Sequence, residues 1–487
     1  MVCGTGSDAG KSSVVVGLCR LLARRGVQVA PFKAQNMSNN SFVTDGGHEI
    51  GRAQGVQALA AGIAPDVTMN PILLKPEGEH TSQVVVMGEP IGRLDAAQYQ
   101  AQALRLLPTV LGAARQLREH VDVLIVEGAG SPAELNLLDR DIVNLRVASE
   151  LALPAVIVGD IERGGVLAAL YGTVTLLPDH YRELVRGFII NKFRGDRSLL
   201  EPGLDALEAR CGIPTIGVLP WVDGLVLDAE DSLPLEQRPW SDNSRGGDDH
   251  VDIAVIRFPR IANFTDFDPL LNEPGVRLRL VEDPRALGKP DLIVLPGTKA
   301  TVEDLTWLRA RRLHTAIREA KASVLGICGG YQMLGRVIRD DVESARGVVA
   351  GLGWLDIETT FSDHKTVRTR HGRAFGHPLR GYEIHQGQIE RGTNAEAWID
   401  LDTTDGTEHE GAVADADPPI AGTSLHGIFE ADDFRRAVLH DLATRVGKSI
   451  GFDPVPFAVR RERQFDRLAD LLESYVDPVQ LERLLGV

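Results

Sequence analysis

The chain has 487 residues, 43% hydrophobic and 25% charged, the composition of a folded protein too long for one ordinary domain. Its formal net charge of −16, with no basic stripe, disfavours nucleic acid but leaves small acidic ligands open, since a few placed lysines or helix N-termini hold those. No apolar run is long enough to span a bilayer, the N-terminus lacks a basic-then-apolar leader, and Cys3, Cys19, Cys211 and Cys328 form no CxxC pair; these features argue for a cytoplasmic protein without a disulfide framework or zinc site.

The first half alternates short apolar runs with amphipathic stretches. Strands are expected at Val27 to Phe32, Val123 to Val126, Ala155 to Val158, Gly187 to Asn191 and Thr215 to Val218, with helices such as Ser12 to Arg25 and Arg140 to Glu150 between them. That alternation predicts an α/β fold with a parallel sheet covered on both faces. From about Glu230 to His250 the pattern lapses into Pro, Ser, Gly and charge, which marks a linker at 229–250 between domains at 1–228 and 251–487. A second alternating series then starts with Asp252 to Arg257, Asp291 to Leu295 and Ser323 to Ile327, and the stretch after Ala431 reads as mainly helical.

The segment from Gly4 to Ser13 (Gly4, Thr5, Gly6, Ser7, Asp8, Ala9, Gly10, Lys11, Ser12, Ser13) opens a helix as a phosphate loop does. Its glycines let backbone amides turn onto phosphate oxygens, Lys11 reaches the outer phosphates and Ser12 offers a hydroxyl to Mg²⁺. Five residues rather than four separate Gly4 from Gly10, and only Met1, Val2 and Cys3 precede the loop, so the first strand is expected to be unusually short or the chain to start further upstream. Glu127, at the end of an apolar strand, stands where a Mg²⁺ ligand belongs; Asp160 has the same placement, equally readable as a helix cap. Asn191, before Lys192 at another strand end, is a candidate contact to the nucleotide.

A second motif runs from Ser323 to Leu334: an apolar strand, the turn Gly326-Ile-Cys328-Gly329-Gly330 and a helix. Small residues around Cys328 permit the sharp bend of a nucleophile elbow, and the following helix N-terminus favours thiolate. A lone cysteine is more often a small buried hydrophobe, but glycines on both sides of the turn are hard to explain that way. A thiolate in this role needs a base. His426 and His385 both qualify by residue type, and spacing does not choose between them. Gly297, after the strand ending at Leu295, and Gly329 are candidate oxyanion donors.

These residues resemble known families. The elbow is similar to that of class I glutamine amidotransferases, and the lengthened loop to that of dethiobiotin synthetase-like ATPases; the two are joined in the amidases of cobalamin biosynthesis. Pro31 to Ser38, Gly51 to Gln54, Met69 to Pro76, Glu127 to Asn136, Asp160 to Gly165, Asn191 to Asp196, Asn263 to Asp268, Pro296 to Lys299 and Tyr382 to His385 resemble the cobyric acid synthase family in particular, over nearly the whole chain. The rival family of cobyrinic acid a,c-diamide synthases resembles Lys-x-Gly-Pro-Asp-Tyr where this chain has Lys33, Ala34, Gln35 and Asn36.

The resemblance implies two doubly wound α/β domains, an N-terminal P-loop NTPase-like domain and a C-terminal flavodoxin-like amidotransferase domain. It implies ATP- and Mg²⁺-dependent amidation of the b, d, e and g carboxylates of adenosylcobyrinic acid a,c-diamide, through an acyl phosphate and with ammonia from glutamine. Gly4, Thr5, Asp8, Gly10, Lys11, Ser12, Ser13 and Asn191 would hold the nucleotide, Ser12 and Glu127 the metal, and Lys33, Gln35, Asn36 and Arg52 the corrinoid. Cys328 becomes the nucleophile and His426 its base, with His385 structural or substrate-facing. Glutamine and a corrinoid are thus the expected partners, a homo-oligomer is allowed, and ammonia calls for a closed path between domains. The amidotransferase class usually supplies its third catalytic residue as a glutamate two positions after the histidine; here that position is Ile428, leaving Glu383, Glu430 or a backbone carbonyl to orient His426. A reading from another class, a non-catalytic P-loop switch, leaves the elbow unexplained.

Overall fold

The computed structural model describes residues 1–77, 80–225 and 250–486. The chain divides into two compact units: Met1–Ser38 with His48–Asp228 and Arg461–Val487, and Asn39–Gly47 with Ala229–Arg460. Two segments, 39–47 and 461–487, therefore lie on the other side of the division from where a boundary drawn in sequence order puts them. The linker expected at 229–250 lies outside the described residues except for His250.

In the first unit the strand Val29–Phe32 pairs in parallel with Val123–Val126, and Val2–Gly4, Ala155–Asp160, Val185–Phe193 and Thr215–Pro220 follow in parallel order. A parallel bridge from Val2 to Glu127 joins the two sets. The strand Val2–Gly4 spans three residues and is central. Side-chain alternation at period two sends Val156 and Val158 to one face, against Val14, Leu18 and Leu22 of the helix Lys11–Arg24. Ala155 and Ile157 go to the other, against Val166 and Leu170 of the helix Val166–Leu176. Both faces are covered, which is why these strands read as continuous apolar runs.

Two additions to this sheet were not legible as strand–helix alternation. Gln35–Met37, Ile72–Pro76, Thr81–Val86 and Glu89–Asp95 form a side sheet, antiparallel after its first pairing. It leads into the helix Ala96–Arg118 through a capping box: Asp95 accepts from the Gln98 amide at 2.8 Å, and the Gln98 side chain accepts from the Asp95 amide at 3.0 Å. The second addition is the C-terminal tail. Phe465, Leu468, Ala469 and Leu472 of the helix Phe457–Tyr475 join the same core as Val14 and Leu18, and Arg20 meets Asp466 at 2.8 Å beside them.

The second unit is built on a seven-stranded sheet in the order Val276–Val281, Val251–Ile256, Leu292–Leu295, Ser323–Ile327, Ile420–Thr423, Ala412–Ala414 and Ala395–Glu396. The first four pairings are parallel and the last two antiparallel. Ala254 and Ile256 enter one core, Ile253 and Val255 the other. A second sheet carries the long antiparallel pair Ile357–Ala374 and His377–Arg391. Segment 39–47 closes on this unit through the Ser41 amide, which donates to the Asn263 side chain at 2.9 Å, and Asn40, which accepts from the Phe264 amide at 3.1 Å. No helix among the described residues is long and apolar enough to cross a membrane.

Candidate active site

The loop Gly4 to Gly10 leaves the central strand and returns as the helix Lys11–Arg24, with Gly10 at φ 97° as its N-cap. The Thr5 amide donates to the Val158 carbonyl at 2.9 Å, so the loop begins still tied to the sheet. Lys11 folds back over it, its ammonium 2.8 Å from the Gly6 carbonyl and 3.3 Å from that of Gly130. Two backbone carbonyls thus hold the ammonium at the mouth of the loop. Asn191 donates to the Ala9 carbonyl at 3.0 Å, and Lys192 reaches the Asp8 carbonyl at 3.1 Å and Asp160 at 2.7 Å. Asp160 is thus committed to an ion pair and to the Glu162 amide. Ser13 is half-buried in the first turn of the helix.

Glu127 is the hub of this end of the sheet. It is fully buried, and its carboxylate accepts from Ser12 at 2.9 Å, from Lys33 at 3.0 Å and from the Gln57 amide. Burial alone raises its pKa; Lys33, Gln57 and Lys11 outweigh that and hold it below the ordinary carboxylate range. A hydroxyl and an ionised carboxylate oxygen within 2.9 Å form a hard-oxygen pair that suits Mg²⁺ completed by phosphate and water. The Lys33 ammonium bonds the same carboxylate oxygen. Asn36 donates to Gln54 at 3.0 Å, Gln35 accepts from Tyr99, and Arg52 is buried at the start of the helix Arg52–Ala60. Gln57 was not singled out in the sequence, although it lies one helical turn beyond Gln54 and shares its face.

In the second unit Ser323–Ile327 ends in a sharp turn. Cys328 sits at φ 50°, ψ −110°, an uncommon conformation for a residue with a side chain, and the helix Gly329–Leu334 follows at once. The turn packs so closely that a Cβ on Gly330 would lie 1.9 Å from the Leu295 carbonyl oxygen. The Cys328 amide is fixed on the Thr423 carbonyl at 2.8 Å, and its thiol reaches toward the Ile384 carbonyl at 3.7 Å.

His426 faces that thiol. Its backbone forms a two-bond bridge with Tyr382, at 2.9 and 3.0 Å, and its ring stacks on the Tyr382 ring at 5.4 Å. Its Nδ1 is bonded to Oδ2 of Asp266 at 2.7 Å, with both side chains buried. Glu383 is engaged by Arg368 and His385, whereas Asp266 reaches His426 from a turn 160 residues earlier in the chain. Burial lowers the His426 pKa, but Asp266 and the Cys328 thiol overcome it and lift the imidazole to about 10. Burial likewise raises the thiol, and the bond to His426, the nearby His385 and the Gly329 amide reverse it, bringing Cys328 below its ordinary value. Both shifts favour the thiolate–imidazolium form of the pair, the form that can attack an acyl carbon and protonate its leaving group.

Gly297 lies against this pair: a Cβ there would be 2.7 Å from Cε1 of His426. His385 is turned otherwise, its Nδ1 2.8 Å from the Gly387 carbonyl and its Nε2 3.6 Å from Glu383. The structure thus brings Cys328, His426, Gly297 and Gly329 together and sets His385 beside them. Asp266 was legible only as part of the quoted stretch Asn263 to Asp268; nothing local marks it as a partner of a distant histidine.

Residues 1–235 match the CobQ/CobB/MinD/ParA nucleotide-binding domain and residues 252–434 the CobB/CobQ-like glutamine amidotransferase domain. The cobyric acid synthase of Nocardia farcinica is 49% identical over the whole of this chain and 96% of its own length. That of Rhodococcus jostii is 50% identical over the whole chain and 95% of its own, and that of Sorangium cellulosum 46% over the whole chain and 98%. With its two domains matched and relatives of this identity aligned from end to end, the chain belongs to the cobyric acid synthase family.

Proposed function

We propose that the chain is a glutamine-hydrolysing carbon–nitrogen ligase that amidates the b, d, e and g carboxylates of adenosylcobyrinic acid a,c-diamide. The observation that carries this reading is the Cys328–His426 pair at a strained strand-to-helix turn, in a chain that also bears a phosphate loop.

The Cys328 thiolate attacks the side-chain amide carbon of glutamine, and the oxygen that gains charge is held by the amides of Gly297 and Gly329. His426 gives its proton to the departing nitrogen, releasing ammonia and leaving a thioester. Water then attacks the thioester as His426 takes the proton back, yielding glutamate and the thiolate. At the other site a carboxylate oxygen takes the γ-phosphoryl group of ATP as ADP leaves, and ammonia then attacks the acyl carbon of the acyl phosphate and displaces inorganic phosphate. Gly4, Thr5, Asp8, Gly10, Lys11, Ser12, Ser13 and Asn191 bind and orient the nucleotide, with Ser12 and Glu127 holding Mg²⁺. Lys33, Gln35, Asn36 and Arg52 orient the corrinoid carboxylate, and Lys33 offsets its charge. A cytoplasmic location fits these substrates.

The test is mass spectrometry of the corrinoid a,c-diamide incubated with protein, ATP and glutamine. A stepwise series of small losses, one for each OH replaced by NH₂ and dependent on both ATP and glutamine, is expected. No series with folded protein would sink the reading.

A further inference from the structure

We infer that Asp266 is the positioning acid of the glutaminase site, taking the place of the glutamate usually found two residues after the histidine. This inference rests on the glutaminase reading of Cys328 and His426.

The place of the usual acid is filled by Ile428, an apolar side chain 1% exposed, so that position supplies no carboxylate to His426. Asp266 arrives from the turn Phe264–Phe267, entered through Asn263 at φ 51°. That entry is itself clasped: Asn263 accepts from the Ser41 amide, and its own amide donates to the Asn39 carbonyl at 3.4 Å. Asp266 then uses both oxygens. Oδ2 accepts from Nδ1 of His426 at 2.7 Å, and Oδ1 accepts from the Gly427 amide at 2.8 Å. A carboxylate pinned by two donors on adjacent residues does not swing, so it fixes both the plane and the tautomer of the imidazole. With Nδ1 bound to Asp266, Nε2 is the nitrogen left for the thiol and for the leaving ammonia.

An amide in place of this carboxylate has only one acceptor oxygen for the two donors. Asp266→Asn must therefore either drop the Gly427 bond or present an N–H to Nδ1, which favours the wrong tautomer. The other ionisable groups about Cys328, His385 and Glu383, stay in place in that variant.

The experiment uses the full-length protein and follows iodoacetamide alkylation of Cys328 by peptide mass across pH, with glutamine hydrolysis measured in parallel. For Asp266→Asn the alkylation midpoint should rise by about one unit or more. Glutamine kcat should fall about 10³–10⁴-fold with little change in KM. Asp266→Glu, which keeps the charge, should return the alkylation profile toward wild type. A wild-type profile and kcat in Asp266→Asn would overturn the inference, as would equal loss in both variants with the profile unmoved, which is the signature of packing alone. If the unaltered protein makes no corrinoid amide, the proposed function fails, yet the alkylation profiles still decide the role of Asp266.

Discussion

The ammonium of Lys33 lies 3.0 Å from the Glu127 carboxylate, and both groups are almost fully removed from water. Such a pair is costly to assemble and more costly to break, because removing one partner strands the other. Lys33→Met should therefore destabilise the first unit by about 3–5 kcal/mol in urea unfolding. Lys33→Met with Glu127→Gln should recover much of that loss, since no charge is then left alone. Additive losses would mean that the two groups do not compensate each other.

At the thiol site the sign of the pH dependence follows from the shifts. Cys328 is lowered and His426 raised to about 10, and both shifts favour the thiolate–imidazolium form of the pair. The thiolate is lost as pH falls through the lowered thiol value, and the imidazolium as pH rises through about 10. Cys328 should thus alkylate at neutral pH far faster than the buried Cys3 and Cys19, whose thiols burial pushes upward. Cys328→Ala should abolish glutamine-dependent amidation and leave amidation by free ammonium unchanged. Glutamine still acting as well as ammonium would remove Cys328 from the mechanism.

What could be read from the sequence follows from how local each signal is. The elbow and the loop are contiguous, and their glycines are demanded by geometry within a few residues, so both stood out. The parallel strands showed because they are buried on both faces. Asp266 and His426 meet only because the turn at Asn263 and the bridge at Tyr382 converge, a long-range pairing with no periodic trace. The tail at 461–487 escaped for the same reason: an amphipathic helix shows that it has a partner but not which core provides it. The long pair Ile357–Ala374 and His377–Arg391 carries many charges on its exposed face, which hides it from a search for apolar runs.

The close approach at the elbow gives a sharper mutational test. Gly330→Ala places a methyl group where the Leu295 carbonyl oxygen already stands, 1.9 Å away, and neither backbone segment yields cheaply. A loss of at least about 1–3 kcal/mol is expected from overpacking, together with a slower Cys328 alkylation as the turn shifts. A variant with wild-type melting and wild-type alkylation would show that the turn is not as tight as its geometry.

Glu383 contributes an acid limb to stability. Burial raises its pKa, but His385 and Arg368 outweigh this and lower it to about 2. Its stabilisation is present above the ordinary carboxylate value and is lost as pH falls toward about 2. Glu383→Gln should flatten the fall in stability over that acid range and cost stability at neutral pH, where Arg368 and His385 lose their partner. An unchanged acid limb would place the titrating group elsewhere.

The tail gives the most direct test of how the chain is divided. Phe465 is fully buried, and Leu468 and Leu472 nearly so, in the core that holds the helix following the phosphate loop. A Cβ on Gly17 of that helix would come within 2.7 Å of Leu472, so the two helices touch almost at backbone distance. Phe465→Ala should therefore cost about 3–5 kcal/mol, and the loss should fall on nucleotide binding by the first unit rather than on alkylation of Cys328. Chains ending at Arg460 should go further, exposing Val14, Leu18 and Leu22 and losing ATP binding in calorimetry. If such chains bind ATP with unchanged affinity and melting temperature, the tail is an accessory of the first unit and not part of its core.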